Sequence, residues 1–161
     1  MASANIVSPG TKRRVAGLDR ILIVDDIEEM RQTLRRMLRW AGVGEVELAS
    51  DIGEARTALE RAKGRVAPFD LVFIDQMMPG GSGTELIEEV VARNLVDRRH
   101  TGLFLLSGVS EHDLQAQARQ AGAVALLEKP ISSDNLLSVI QKWVAYRNAA
   151  RARALADGGP R

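Results

Sequence analysis

The chain has 161 residues, 45% of them apolar and 27% charged, with a net charge of +1 and no cysteine. That is the make-up of one soluble domain with a sizeable core, and it excludes disulfides, thiol chemistry and, with only His100 and His112 standing apart, a zinc site of the usual type. No apolar run approaches the ~20 residues of a membrane span and the N-terminus lacks the apolar core of a secretory signal, so the expectation is a cytoplasmic protein with no membrane partner.

Residues 1–18 are rich in Ser, Gly, Pro and basic residues without periodicity and are predicted to be a disordered basic leader. Arg20-Ile21-Leu22-Ile23-Val24 is a first strand that ends on Asp25-Asp26. Residues 27–40 follow at helical spacing, and Gly42 and Gly44 stop that helix. Val46 to Ala49 is a shorter strand with partial alternation, placed near a sheet edge. Ser50 is the expected N-cap of a second helix with the stripe Ile52, Ala55, Ala58, Leu59 and Ala62. Residues 70–74 form a third strand that stops on Asp75. Ser82-Gly83-Thr84-Glu85 reads as a capping box opening a helix to about Asn94. Leu103 to Leu106 is a fourth strand ending at Ser107-Gly108. Ser110 to Asp113 opens a fourth helix with Leu114, Ala118 and Ala121 inward, and Gly122 caps it. Val124 to Leu127 is a fifth strand, followed by Lys129-Pro130. Ser132 or Ser133 caps a last helix through Leu136, Leu137, Val139, Ile140 and Val144.

Five strand–helix alternations predict an α/β fold: a single doubly wound, five-stranded parallel sheet, order 2-1-3-4-5, with helices on both faces. The chain divides into the leader 1–18, a domain over 19–147 and a polar tail 148–161 that can extend the last helix. The ends are basic: residues 1–20 carry +3 and residues 141–161 carry +4, which leaves −6 for the span 21–140. An acidic body with basic ends argues against nucleic acid, and the tails are read as solvated.

The strand ends bring chemistry to one rim: Asp25 and Asp26, then Asp75, Ser107 and Lys129. Three carboxylates close together repel by several kcal/mol (~332/(20·r) per pair). A divalent cation relieves this, and hard oxygen donors favour Mg²⁺, or Mn²⁺, over zinc or copper. Asp25, Asp26, Asp75 and the backbone carbonyl of Met77 are the candidate ligands. Asp75 is also the candidate nucleophile, since a carboxylate can form an aspartyl phosphate. Lys129 would neutralise phosphoryl oxygens, and Ser107 would hydrogen-bond one of them.

This pattern resembles a response-regulator receiver domain, the CheY-like, flavodoxin-like fold of two-component signalling, over roughly residues 20–147. The matching pieces are Asp25-Asp26, Asp75 followed by Met78-Pro79 and Gly83, Ser107, and Lys129-Pro130. The resemblance implies Mg²⁺-dependent phosphotransfer from a histidine kinase or histidine phosphotransferase to Asp75. It also implies output through the fourth helix, fifth strand and fifth helix, to a downstream protein target or a second copy. Three residues before the lysine, where the family often has an aromatic switch residue, this chain has Leu126. The turn after Asp75, Pro79-Gly80-Gly81-Ser82-Gly83, is looser than the family norm.

The expectation is therefore a stand-alone phosphoprotein switch of a phosphorelay rather than an enzyme. The alternatives are a phosphate shuttle or sink without its own output, and an Mg²⁺-dependent aspartyl-phosphate hydrolase, which would want an acid/base where Met77 stands. A flavin or nucleotide binder would need an anion-friendly loop where Asp25-Asp26-Ile27-Glu28-Glu29 lies. Trp40 and Trp143 are read as helix-face packing, His112 as an exposed helix residue and His100 as a loop residue.

Overall fold

A computed structural model describes residue 15 and residues 17–109 and 112–158. The main strands are β1 (Arg20–Val24), β2 (Glu45–Ala49), β3 (Leu71–Asp75), β4 (Gly102–Ser107) and β5 (Ala125–Glu128). The helices are α1 (Glu28–Trp40), α2 (Ile52–Ala62), α3 (Gly83–Ala92), α4 (His112–Ala121) and α5 (Ser133–Ala156). All five strands are parallel in the order β2-β1-β3-β4-β5. The expected topology is the observed one, with β2 at an edge. A two-residue hairpin, Met77–Met78 against Gly81–Ser82, is added after β3.

Alternation along the strands sorts the core into two layers. Leu22, Val24, Val72, Ile74, Leu103 and Leu105 pack against α2, α3 and α4. Ile21, Ile23, Leu71, Phe73, Phe104 and Leu106 pack against α1 and α5. Every residue of β3 is buried, as expected of a central parallel strand covered on both faces. At ~1.5–3 kcal/mol for each large side chain removed from water, this strand is the anchor of the sheet. Asp75, its last residue, inherits that rigidity.

The helix caps follow the sequence with one exception. Ser82 and Glu85 form the reciprocal capping box of α3, and Ser132 caps α5 by accepting from the Asn135 N–H. In α2 the cap is Asp51, not Ser50: Asp51 accepts from the Glu54 N–H at 2.7 Å. Ser50 instead donates its N–H and hydroxyl to the Glu54 carboxylate. Asp51 wins because it is one residue nearer the helix and leaves Ser50 to the reciprocal bond.

Other expectations are corrected by packing. Trp143 is in the core, but Trp40 is 83% exposed; it stands two residues past the buried Leu38, about 200° round the helix from that stripe. Of the expected leader, the described residues Val15, Gly17 and Leu18 lie against the body: Leu18 is buried and the Val15 N–H donates to the Ala41 carbonyl. The remainder of the leader, and the helix-opening pair Ser110-Glu111, lie outside the described residues. Helix α5 runs on to Ala156, so the tail does extend it. Arg147, counted among the solvated basic residues, is buried at 2% exposure.

Candidate functional site

Each candidate side chain is delivered by the end of a strand. The backbone of Asp25 continues β1 by donating to the Ala49 carbonyl. Its carboxylate is fully buried, with Oδ1 accepting from the Ile27 N–H at 2.9 Å and Oδ2 lying 3.1 Å from Lys129 Nζ. Asp75 Oδ1 lies 3.0 Å from the same ammonium. Asp26, exposed, completes the group: one carboxylate oxygen from each of Asp25, Asp26 and Asp75 lies within 4.8 Å of the others. Four of the five expected residues thus share one pocket.

The charge balance is uneven. Three carboxylates face one ammonium. Burial pushes Asp75 above its ordinary carboxylate value, and the hydrogen bond and charge of Lys129 only partly offset this, while Asp25 and Asp26 add to the rise. For Lys129, burial works against the charge, but Asp75 and Asp25 together outweigh it and hold the ammonium above its usual value. Even with Lys129 in place, Asp75 is left destabilised as an anion. Such a donor set, all oxygen and under-neutralised, fits a hard divalent cation such as Mg²⁺.

Ser107 ends β4 beside this rim, since Asp75 pairs with Leu106 and the Lys129 N–H donates to the Ser107 carbonyl at 2.7 Å. Its buried hydroxyl is turned to its own loop, accepting from the Val109 N–H and donating to the Val109 carbonyl, both at 3.1 Å. Met77 sits in the short hairpin, its side chain exposed. Leu126 is half-buried and packs against the α2–α3–α4 layer. The Lys129–Pro130 peptide is cis.

The turn after Asp75 is held by contacts that sequence reasoning missed. Gln76 donates its N–H to the Leu106 carbonyl and accepts the Gly83 N–H on its own carbonyl. Its side-chain Oε1 accepts from the N–H and hydroxyl of Thr84. Gly83 must be glycine because a Cβ there would lie 2.5 Å from the Asp75 carbonyl oxygen. The turn is thereby stapled to the start of α3, despite its glycines.

The profile of the response regulator receiver domain matches residues 21–141. The chain belongs to the response regulator receiver family. Among curated relatives, the transcriptional regulatory protein PdtaR of Mycobacterium tuberculosis is 31% identical over 140 residues, which are 87% of this chain and 63% of PdtaR. The chemotaxis protein CheY-3 of Vibrio cholerae is 29% identical over 123 residues, covering 76% of this chain and 89% of CheY-3. Among solved structures, a CheY-like receiver domain protein from Methanospirillum hungatei superposes with a TM-score of 0.70 at 28% identity, over 83% of this chain and 98% of that one. The chain therefore spans about three fifths of the length of PdtaR. Receiver domains are signalling proteins of two-component systems, and they bind Mg²⁺ at an acidic pocket; this chain has an acidic cluster of Asp25, Asp26 and Asp75. Among the described residues, no helix is long and apolar enough to cross a membrane.

Proposed function

We propose that this receiver accepts a phosphoryl group on Asp75 from the phosphohistidine of a histidine kinase or histidine phosphotransferase. In that step an Asp75 carboxylate oxygen bonds to phosphorus as the phosphorus–nitrogen bond breaks. The observation that carries the reading is the placement of buried Asp75, 3.0 Å from Lys129 Nζ and in one cluster with Asp25 and Asp26. Asp25, Asp26, Asp75 and the Met77 carbonyl would hold Mg²⁺, which when bound offsets negative charge on the phosphoryl oxygens. Lys129 pairs with the modified Asp75, and Ser107 leaves Val109 to donate to a phosphoryl oxygen. That exchange moves the loop after β4 and changes which protein partner binds, a local charge event with a wider readout. Leu126 is proposed to take part by repacking rather than by an aromatic swing.

The proposal concerns the receiver, residues 19–147, and not any output that longer relatives carry. Incubation with a small phosphodonor and Mg²⁺ is expected to label the wild-type protein once per chain and to leave Asp75→Asn unlabelled. Retained label on that variant refutes the assignment of Asp75. Continuous turnover of a phosphate ester instead of stoichiometric label supports the hydrolase alternative.

A further inference from the structure

Arg31 lies on α1 in the first turn, where the positive end of the helix dipole opposes a cation. Its backbone makes the ordinary helical bond to the Ile27 carbonyl. Its guanidinium instead folds back past the helix start and donates to the Asp25 carbonyl oxygen at 2.6 Å. That oxygen belongs to the Asp25–Ile27 turn, whose ends are held by the Asp25 N–H on the Ala49 carbonyl and the Arg31 N–H on the Ile27 carbonyl. The Asp25 carboxylate takes the Ile27 N–H and Lys129 Nζ; the Asp25 carbonyl itself is met by Arg31. Asp26 is the middle residue of the turn and is exposed, so its carboxylate is aimed by the backbone rather than by packing. The charge of Arg31 also reaches Glu54 at the start of α2: Glu54 is held low mainly by Ser50, with Arg31 contributing.

We propose that Arg31 is a positioning residue for the acidic pocket: its bond to the Asp25 carbonyl fixes the Asp25–Ile27 turn so that Asp26 is presented to a divalent cation. This deepens the Mg²⁺-dependent reading above and rests on it. Two roles for Arg31 have opposite signatures. If it acts only as a nearby positive charge, its removal tightens cation binding, because a repulsion is lost. If it positions, its removal weakens binding, as loss of outer-shell support does at other metal sites, by about tenfold or more.

The test is calorimetric titration of the unphosphorylated protein with MgCl₂, comparing wild type, Arg31→Met and Arg31→Lys, with thermal melts confirming that each is folded. The expected result is a Kd about tenfold higher for Arg31→Met with an unchanged melting temperature. Arg31→Lys keeps the charge, but its side chain is one bond shorter and ends before the point from which Arg31 Nη1 donates to the Asp25 carbonyl at 2.6 Å, so it should also bind more weakly than wild type. Equal or tighter binding by Arg31→Met overturns the inference while leaving the Mg²⁺ reading intact. Should Arg31→Met fail to fold, Arg31→Lys decides: wild-type affinity there shows that charge alone suffices and overturns the positioning role. Wild-type protein that takes up no Mg²⁺ overturns both.

Discussion

Replacing Lys129 by Met separates the two tasks given to this side chain. The ammonium lies 3.1 Å from Asp25 Oδ2 and 3.0 Å from Asp75 Oδ1. Unit charges 3 Å apart attract by about 5–6 kcal/mol at an effective dielectric near 20, but desolvation cancels much of this. Removing one partner of a buried pair costs about 3–5 kcal/mol because the other charge is stranded. Here Asp25 is fully buried and cannot rehydrate in place. The Lys129 side chain keeps 16% exposure, and Asp75, already pushed up by burial, can relieve the loss by taking a proton. The expected cost without metal is therefore about 2–3 kcal/mol, below the full buried-pair range. Magnesium binding should survive or tighten, because a cation has been removed from beside its ligands. Urea melts of wild type and Lys129→Met with and without millimolar MgCl₂ measure both effects: Mg²⁺ should recover more stability in the variant. Phosphorylation-dependent partner binding should nevertheless fail. Unchanged stability without metal, or loss of Mg²⁺ binding, refutes the reasoning.

At the opposite end of β3, Arg147→Met should destabilise the protein by about 3 kcal/mol, the lower end for a broken buried pair, because Asp70 retains its bonds from the Asp19 and Arg20 N–H groups; this corresponds to roughly 6–12 °C in melting temperature, whereas the exposed Arg151→Met should shift it far less, and equal shifts sink the idea. His100 should make stability fall in mild acid. Burial first, then the charges of Arg147 and Arg151, hold it below its ordinary value of 6.5 against the pull of Asp70 and Asp97, so the unfolded chain takes up the proton first. The stabilisation is complete above that value and is lost as pH drops through the lower folded value. Denaturation midpoints of wild type and His100→Asn should converge between pH 7 and pH 5, and parallel curves would contradict this.

The fold was readable because β1, β3, β4 and β5 are built on continuous apolar runs that stop on a charged or hydroxyl residue, while the edge strand β2 alternates. In a parallel sheet those stops fall on one rim, so Asp25, Asp75, Ser107 and Lys129 could be assigned before any contact was known. The Asp70 cluster was not readable in that way. Asp70 looked like a strand boundary and Arg147 like part of a solvated tail. The structure joins them: the Arg147 guanidinium donates to Asp70 Oδ1 at 2.8 Å and to the His100 and Gly17 carbonyls. A signal was present, since the stripe Leu136, Ile140, Trp143 continues at helical spacing onto Arg147. Charge composition had assigned that residue to solvent, and periodicity would have assigned it to the core. Arg31 left no such trace, because its bond runs to a backbone carbonyl that any residue offers, and Gln76 left none because it meets Thr84 across an irregular turn with no periodicity to read.

The two ends of β3 show why one ionic cluster invites a ligand and the other does not. Asp70 at the start of β3 is answered by a guanidinium, two backbone N–H groups and His100. Since a guanidinium only donates, Arg151, 2.6 Å from His100 Nδ1, fixes the tautomer that leaves Nε2–H facing Asp70 Oδ1 at 3.0 Å. The Asp70 carboxylate is thus answered from every side, so no cation is drawn in, and the cluster ties α5 to the sheet although the buried Arg147 Nε has no hydrogen-bond partner among the described residues. Asp75 at the other end of β3 shares one ammonium with Asp25 and lies beside Asp26. Asp75 cannot move away to relax the deficit, because it is clamped by a fully buried strand and by the Gly83 contact. Rigid placement combined with incomplete neutralisation is what lets the pocket respond to an arriving cation or phosphoryl group. Adding a second lysine would stabilise the resting protein and remove that response.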